Sequence, residues 1–514
     1  MNKTKKQLFW GSIISYLAIL INIFAGLIYT PWMIRQIGQS DYGLYTLAYS
    51  LISLFLMDFG LSSATARYVS KYHAEGNEEK VNNFLGVIYK LYLVIDTVIF
   101  LALFVFYFLI EKVYVNLTPD EISHFKIVYL IAGGFSIINF PFVTLNGILT
   151  AYEKFIQLKL ADVIYRILLT GVMIVALLFG YGLYALVIVH AAVGLVIVAY
   201  KWIVIKVKVP IKVSFRYWEQ SLFKDIFGFS LWITIASLAQ RLVFNITPSI
   251  LGIVASSAAI AVFGVVVTIE GYAYTITTAI NGMFMPRISV AYTGDHPEEQ
   301  LQPLFLSVGK FQYAINGLIV AGFFILGDYF LKLWVGADYR DAYWGILLVT
   351  IPGLFFNSLQ IANTAMIVTK RVKIQAFVNV AMGVINVSLS FAFSMLWGVI
   401  GACISIFVAY MVRAIALNII YYKVMKFNIP KFIVQCYLRM SVPIVLTILA
   451  GYLMNRWIEN RGWLFFGYKG VIVMSIYLLF VFLIGLNVQE KKNVFHRTIG
   501  RLLKRRRKDG SVQE

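Results

Sequence analysis

The chain has 514 residues, of which 60% are hydrophobic and 13% are charged, and its formal net charge at pH 7 is +20. Soluble domains are nearer half apolar and a quarter charged, so this composition excludes a soluble protein and predicts one whose solvent is lipid. The positive charge does not indicate nucleic-acid binding, because the basic residues occupy short loops and one tail rather than a basic domain. The two cysteines, Cys403 and Cys436, lie in apolar segments without metal-ligand spacing, and we expect no metal and no cofactor.

The spanning segments are predicted from apolar runs of roughly 20 residues, the length of helix that crosses a bilayer. Two longer stretches are each divided at a tight turn, near Gly180-Tyr181-Gly182 and at Trp397-Gly398, because each is too long for one crossing. The sequence therefore predicts an all-α integral membrane protein with about fourteen transmembrane helices. Their ranges are 10–31, 42–66, 83–110, 125–150, 160–180, 182–205, 226–252, 258–284, 304–327, 342–368, 374–397, 399–422, 432–454 and 468–487.

The distribution of basic residues predicts the orientation of the chain. With both termini in the cytoplasm, about 30 of the 44 lysine and arginine residues fall on the cytoplasmic side and about 8 outside. The tail ends in the basic run Lys504–Lys508, which is expected to lie against anionic lipid headgroups. We therefore predict a multi-pass protein of the bacterial cytoplasmic membrane, with both ends inside the cell.

An internal repeat predicts the division of the chain into two lobes. Residues 67–81 and 287–301, about 220 residues apart, pair Arg67 with Arg287 and Tyr72 with Tyr292, and both copies carry two adjacent glutamates. Transporters built from two copies in the same orientation place the substrate path between the halves. The expected organisation is an N-terminal lobe (1–205), a cytoplasmic linker (206–225), a pseudo-symmetric C-terminal lobe (226–424), two extra helices (425–487) and a basic cytoplasmic tail (488–514).

Ionisable residues inside predicted spans are candidates for function, because each costs about 2.5–3.5 kcal/mol at a helix centre. Arg241 lies deepest, and it shares one helical face with Thr234, Ser237 and Asn245. These four residues are the first predicted substrate-binding set. A purely structural role, with Arg241 paired to one buried acid, is the alternative.

Other charged residues within the spans divide into two groups. Arg166 and Arg413 are further candidates for the cavity, although Asp162, spaced i,i+4 from Arg166, is expected to neutralise it. The acids Asp58, Asp96 and Glu270 are candidates for binding a coupling proton or sodium ion. The alternative is that these acids only balance nearby arginines. Lys90, Lys310 and Arg439 lie near helix ends and are expected to reach the headgroups.

Two motifs resemble a known family. The first runs from Arg35 through Asp41-Tyr42-Gly43-Leu44-Tyr45 to Asp58-Phe59-Gly60-Leu61, and the second is Leu333-Trp334-Val335-Gly336 with Tyr339 following. They resemble the polysaccharide flippases of the multidrug/oligosaccharidyl-lipid/polysaccharide exporter superfamily. The resemblance implies a transporter that moves a lipid-linked oligosaccharide, usually on undecaprenyl pyrophosphate, to the outer leaflet for export of a surface polysaccharide such as O-antigen or capsule. It also implies a basic central cavity, which Arg241 fits.

Other functions remain open or are excluded. A flippase for the peptidoglycan lipid precursor and an ion-coupled multidrug antiporter of the same superfamily stay as alternatives; a cation exporter is expected to expose unpaired acids. A membrane glycosyltransferase, polymerase or ligase needs a large outer loop with catalytic carboxylates or histidines, and no such loop is predicted. No phosphate-binding loop occurs, since Gly309-Lys310 is followed by Phe311. We therefore expect a transporter and not an enzyme, with membrane lipids and the lipid-linked oligosaccharide as binding partners, and a polysaccharide polymerase and glycosyltransferases as candidate protein partners.

Overall fold

The computed structural model describes residues 3–55, 58–279, 281–369, 371–458 and 462–491, and within these ranges all regular elements are helices. Most of the tail predicted at 488–514, including the basic run Lys504–Lys508, lies outside the described residues. The predicted all-α membrane architecture is confirmed.

The first part of the chain forms eleven α-helices, two of which are joined by a short 3-10 turn at Phe140–Val143. They are α1 (Lys3–Ile37), α2 (Gln39–Phe55), α3 (Leu61–Ala74), α4 (Glu78–Val113), α5 (Pro119–Asn139), α6 (Thr144–Ala151), α7 (Phe155–Leu178), α8 (Leu183–Lys208), α9 (Gln220–Phe244), α10 (Thr247–Val254) and α11 (Ser257–Thr278).

The second part forms eight more α-helices, and two π-helical segments, Ile433–Leu438 and Val481–Gly485, continue α17 and α19. They are α12 (Met285–Ala291), α13 (Pro297–Trp334), α14 (Asp341–Asn357), α15 (Gln360–Val368), α16 (Val372–Lys423), α17 (Ile429–Phe432), α18 (Arg439–Trp457) and α19 (Gly462–Phe480).

The number of membrane crossings differs from the expectation. Among the described residues, 10 helical segments are long and apolar enough to cross a membrane, or up to 11 if the bent pair α14 and α15 is one span. The predicted count of fourteen is therefore not confirmed. Part of the difference lies in α16, whose 52 residues would extend about 78 Å as a straight helix. Its non-helical residues Trp397 and Gly398 stand at the predicted turn between two spans.

The predicted second span, 42–66, is wrong as a single helix. The chain breaks between α2 and α3, where Phe59 and Gly60 both have positive φ, at 49° and 69°. Asp58 stabilises the break, because its carboxylate accepts the backbone N–H of Ser62 at 2.9 Å and the hydroxyl of Tyr92 at 3.1 Å. An aspartate that accepts from nearby backbone groups competes with a continuing helix, and a glycine adopts positive φ without steric cost.

The repeat is visible in the local structure. In the first copy α3 is followed by a short turn and by α4, which starts with Glu78 and Glu79 and has 36 residues. In the second copy α12 is followed by a short turn and by α13, which starts with Glu298 and Glu299 after Pro297 and has 38 residues. The two charged loops therefore occupy equivalent places in the local order of helices.

Backbone contacts divide the chain into two compact units. The first unit contains the described residues of Met1–Ala279, Trp344–Val349 and Met366–Leu417, and the second contains those of Ile280–Tyr343, Thr350–Ala365 and Asn418–Glu514. This division by contacts does not follow the predicted lobes 1–205 and 226–424, which stay a prediction. In the first unit α2 packs between α5 and α11, and α7 packs between α1 and α8.

In the second unit α13, α18 and α19 pack on one another. The buried ammonium of Lys310 pairs with Glu490 at 2.8 Å, and Arg439 donates to the carbonyls of Ile484 and Leu486, both at 2.8 Å. Arg439 therefore binds the end of the π-helical segment that continues α19, and Lys310 pairs with the residues that follow it. Contact of these two side chains with the headgroups stays a prediction.

Helices α2 and α11 approach closely because α2 has a glycine at the contact. A Cβ atom on Gly43 would lie 2.1 Å from the carbonyl oxygen of Ser257. Small residues let helix backbones approach in membranes, where no hydrophobic force drives helices together. Gly43, in the Tyr42-Gly43-Leu44-Tyr45 motif, therefore has a packing role.

The same contact region contains a carboxylate shared by the amino-terminal ends of three helices. Glu121, in the first turn of α5, accepts the hydroxyl of Ser40 at 2.6 Å and that of Ser257 at 2.5 Å. Its second oxygen accepts the backbone N–H of Thr118 in a capping box. The partial positive charge of a helix amino terminus stabilises an anion, so Glu121 ties together the starts of α2, α5 and α11.

Replacing Gly43 by alanine tests the α2–α11 contact. The new methyl group would overlap a backbone carbonyl that cannot move without shifting α11, so we expect a loss of about 1–3 kcal/mol. Gly134→Ala in α5 is the control, because a Cβ atom there meets nothing within 4 Å. Thermal unfolding in detergent should show a lower midpoint for Gly43→Ala only; equal midpoints for the two variants would refute the contact.

Candidate functional site

A polar cavity of about 360 Å³ lies inside the first unit, between α2, α5, α6, α7 and α8. Its walls combine aromatic rings with hydroxyl, amide and charged groups, and apolar side chains complete them. The polar and aromatic residues that line it are Tyr49, Ser53, Phe135, Ser136, Asn139, Phe142, Asn146, Asp162, Tyr165, His190 and Lys201.

The polar groups of the cavity hold one another in place. Tyr165 on α7 hydrogen-bonds the Nε2 atom of His190 on α8 at 3.0 Å, and the ring of His190 lies 4.7 Å from that of Tyr49 on α2. Lys201 donates to the side-chain oxygen of Asn146 at 2.9 Å. Three helices therefore present a fixed aromatic and basic surface to the cavity.

Arg166 follows Tyr165 and is exposed. Its guanidinium interacts electrostatically with Tyr45 of α2, His190 of α8 and Tyr272 of α11. The expected pairing with Asp162 is wrong: the side chain of Asp162 instead lies 3.4 Å from Lys159, three residues earlier on the same helix. Arg166 is thus a cation beside an aromatic and polar cavity.

Arg241 contacts α2 rather than a carboxylate. Its Nη1 atom donates to the carbonyl of Ser53 at 2.6 Å, and the amide of Asn245 donates to the hydroxyl of the same serine. Within the described ranges no carboxylate lies within 4 Å of Arg241. Arg241 and Asn245 of α9 therefore both contact Ser53 of α2, and together they join the two helices.

The two other residues of the predicted substrate-binding set on α9 are Thr234 and Ser237. Thr234 donates to the carbonyl of Ser230 and lines a second, apolar pocket between α4 and α9. Ser237 is exposed. The stripe on α9 is thus divided between a contact with α2 and an apolar pocket, and it does not line the polar cavity.

Two further predicted residues come together in the first unit. Arg413 of α16 is buried, and its guanidinium carbon lies 5.8 Å from the ring centre of Tyr410. Glu270 of α11 interacts electrostatically with the same tyrosine. The structure therefore brings a predicted coupling acid and a predicted cavity arginine to one aromatic ring.

The remaining two acids occupy different environments. Asp58 caps α3 and accepts a hydrogen bond from Tyr92. Asp96 is half-buried near the middle of α4, and one of its carboxylate oxygens is buried without a hydrogen-bond partner among the described residues. The carboxylate of Asp96 is therefore held by fewer hydrogen bonds than that of Asp58.

Sequence reasoning missed the polar cavity. The five histidines are scattered and form no motif that would single out His190, and Lys201 stands where the basic loop that joins the two halves begins. The signal available in the sequence was the occurrence of Asp162 and Tyr165 in one apolar span and of His190 and Lys201 in the next.

Comparison with known proteins agrees with the architecture. A family model described as "Polysaccharide biosynthesis protein" matches residues 8–292, which is more than half of the chain. No curated protein matches.

Several solved structures share the fold. A structure described as "Lipid II flippase MurJ, inward closed conformation" superposes with a TM-score of 0.74 at 15% identity, covering 95% of this chain and 99% of that one. An inward-facing multidrug resistance MATE family transporter of the MOP superfamily gives 0.67 at 15% identity over 77% and 92%. A MOP superfamily transporter from Pyrococcus furiosus gives 0.57 at 16% identity over 80% and 94%.

At such low identity these likenesses concern the fold alone, which this chain shares with multi-pass membrane transporters. The match to the family model spans the polar cavity, Arg166, Arg241 and the α2–α11 contact. The chain belongs to the polysaccharide biosynthesis protein family.

Proposed function

We propose that the protein is a flippase that moves an oligosaccharide linked to undecaprenyl pyrophosphate across the bacterial cytoplasmic membrane. The observation that carries this proposal is the polar, aromatic-lined cavity with Arg166 beside it, in a chain of the polysaccharide biosynthesis family. Sugars present hydroxyl groups and apolar ring faces, and the amides, hydroxyls and aromatic rings of this cavity match both.

The headgroup carries charge that cannot cross hydrocarbon unpaired. A guanidinium stays charged at any pH and offers five donors, two of which can bind phosphate oxygens in parallel. Arg166 is exposed, and it is our first candidate for the pyrophosphate. Arg241 uses one donor on the Ser53 carbonyl and keeps others, so it is the second candidate, with Thr234, Ser237 and Asn245 beside it on α9.

Transport by alternating access needs an energy source, and we propose an ion gradient acting on buried acids. One carboxylate oxygen of Asp96 is buried with no hydrogen-bond partner in the part of the chain that the structure describes, and Glu270 and Arg413 both interact with Tyr410. Asp58 is the third candidate, although its hydrogen bonds to Ser62 and Tyr92 favour a capping role. The polar cavity lies within the first lobe, 1–205, and we propose that this lobe moves against the second, 226–424, so that the cavity opens to each side of the membrane in turn.

A second candidate function is transport of the peptidoglycan lipid precursor. It is favoured by the likeness to the lipid II flippase, which covers nearly the whole length of both chains. Both candidates share a pyrophosphate-linked lipid and differ in the sugar. Flipping of each lipid by the purified protein in proteoliposomes distinguishes them.

Arg166→Ala tests the headgroup role. Losing two charge-assisted hydrogen bonds, each of about 1.5–3 kcal/mol, should lower the flipping rate of the lipid-linked oligosaccharide more than tenfold. Arg216→Ala, an exposed arginine of the linker, is the control and should flip at the normal rate. Normal flipping by Arg166→Ala, at equal protein in the vesicles, would exclude Arg166 as a ligand of the headgroup.

Arg241 requires a substitution that keeps its contact with Ser53 of α2. Arg241→Lys retains a donor for the Ser53 carbonyl but loses the planar fork, so the protein should remain stable while transport falls. Arg241→Ala should lower both stability and transport. If Arg241→Lys transports at the full rate, the role of Arg241 is to hold α2 and α9 together.

The proposed orientation places both termini in the cytoplasm. Single cysteines at Glu75, in the turn before α4, and at Asp338, after α13, should then react with an impermeant thiol reagent from opposite sides. Both positions are exposed, and the natural Cys403 and Cys436 are buried and contribute little background. Labelling of both positions from the outside would contradict the orientation.

A further inference from the structure

A second pocket, of about 280 Å³, lies between α4 and α9 and differs from the polar cavity in chemistry. Its lining is apolar apart from one ammonium and two hydroxyl groups. The α9 side consists of Phe223, Phe227, Ser230, Leu231 and Thr234. These residues follow one helical stripe, so the pocket extends about 16 Å along α9.

One end of the pocket is basic. Lys90 of α4 lines it, donates to the carbonyl of Tyr217 at 3.1 Å, and lies 5.7 Å from the ring centre of Trp218. An ammonium has three donors, so this contact leaves two for an anion. Trp218 precedes the start of α9, and a tryptophan beside a lysine is typical of the level of the lipid headgroups.

The position of Lys90 along α4 also agrees with a place at the level of the lipid headgroups. Helix α4 has 36 residues, about 54 Å, and the hydrocarbon core is about 30 Å thick. Lys90 is about 18 Å from the start of α4. If α4 extends equally beyond both sides of the core, the backbone of Lys90 lies just inside the core and its side chain reaches the boundary.

The other end of the pocket is apolar and open at its side. Val94 of α4 and Phe227 of α9 line it and are both exposed. Phe59 and Leu61, from the break between α2 and α3, complete its wall, and the small side chain of Ser230 leaves space among bulkier neighbours. In a bilayer such an opening faces the lipid chains.

We propose that this pocket binds the isoprenoid chain of the carrier lipid at the end next to its phosphate, with Lys90 contacting the phosphate. The proposal rests on the proposed function and adds a first binding site for the carrier, which the lipid occupies before its headgroup reaches Arg166. One narrow apolar slot with one cation fits a lipid that has a single chain and an anionic head. A phospholipid has two chains and would leave the second one outside the slot.

Photolabelling tests the proposal on the full chain in nanodiscs of phosphatidylcholine. The probe is farnesyl phosphate with a diazirine in its chain. We expect label on residues 90–95 of α4 and 223–234 of α9, and competition by unlabelled farnesyl phosphate but not by an equal amount of phosphatidylglycerol. Label confined to other helices, or equal competition by phosphatidylglycerol, would overturn the assignment.

Matched variants provide an independent readout. Val94→Trp fills the pocket and should lower labelling about tenfold, as expected when contacts with about two methylene groups are lost. Val98→Trp, one turn further along α4, is the control: Val94 and Val98 are 63% and 61% exposed, and only Val94 lines the pocket. Equal losses in the two variants would contradict the site.

The proposed contact between Lys90 and the lipid phosphate is tested separately. Lys90→Met keeps the side-chain length and removes the charge, so it should weaken labelling by farnesyl phosphate and leave labelling by the matching farnesol probe unchanged. Unchanged labelling by both probes would exclude the phosphate contact.

Flipping is measured separately: label in the pocket without flipping would refute the proposed function alone, and flipping with label elsewhere would refute the pocket alone.

Discussion

Hydrocarbon supplies no hydrogen bonds, and this constraint governs the whole structure. Backbone groups inside the membrane must be satisfied by the chain itself, which explains why the described elements are helices. Where a helix stops inside the bundle, side chains must supply the missing partners. The start of α3 illustrates the rule, because the Asp58 carboxylate accepts the backbone N–H of Ser62 in its first turn.

The same constraint separates the cations within the helices by what they contact. Lys310 pairs with Glu490, Arg439 binds two carbonyls at the end of the last helix, and Arg413 lies against Tyr410. Arg166 differs, because it is exposed beside a cavity of amides, hydroxyls and rings. The Arg166 guanidinium is therefore accessible to a ligand, whereas Lys310, Arg439 and Arg413 already contact groups of the protein.

The fold was largely predictable from the sequence and the site was not. Apolar runs of spanning length predicted the helices, and the turn at Trp397-Gly398 was located because the stretch around it is too long for one crossing. The break after α2 was missed, because the apolar run continues on both sides of Asp58-Phe59-Gly60, and the break depends on the hydrogen bonds of Asp58 and on the positive φ of Phe59 and Gly60.

The site depends on which faces of different helices meet, and a single sequence contains no direct record of that. The stripe on α9 was a correct observation about one helix, yet Thr234 lines an apolar pocket while Arg241 contacts α2. His190 and Tyr165 are 25 residues apart and meet only because α7 and α8 pack side by side.

The central claim is that the headgroup binds beside Arg166 with its sugars in the polar cavity. A cryo-electron microscopy structure of the protein with bound lipid-linked oligosaccharide tests it most directly. We expect phosphate density about 3 Å from the Arg166 guanidinium and sugar density between Tyr49, Tyr165 and Asn146. Phosphate density at another cation, with the polar cavity empty of sugar, would contradict the claim.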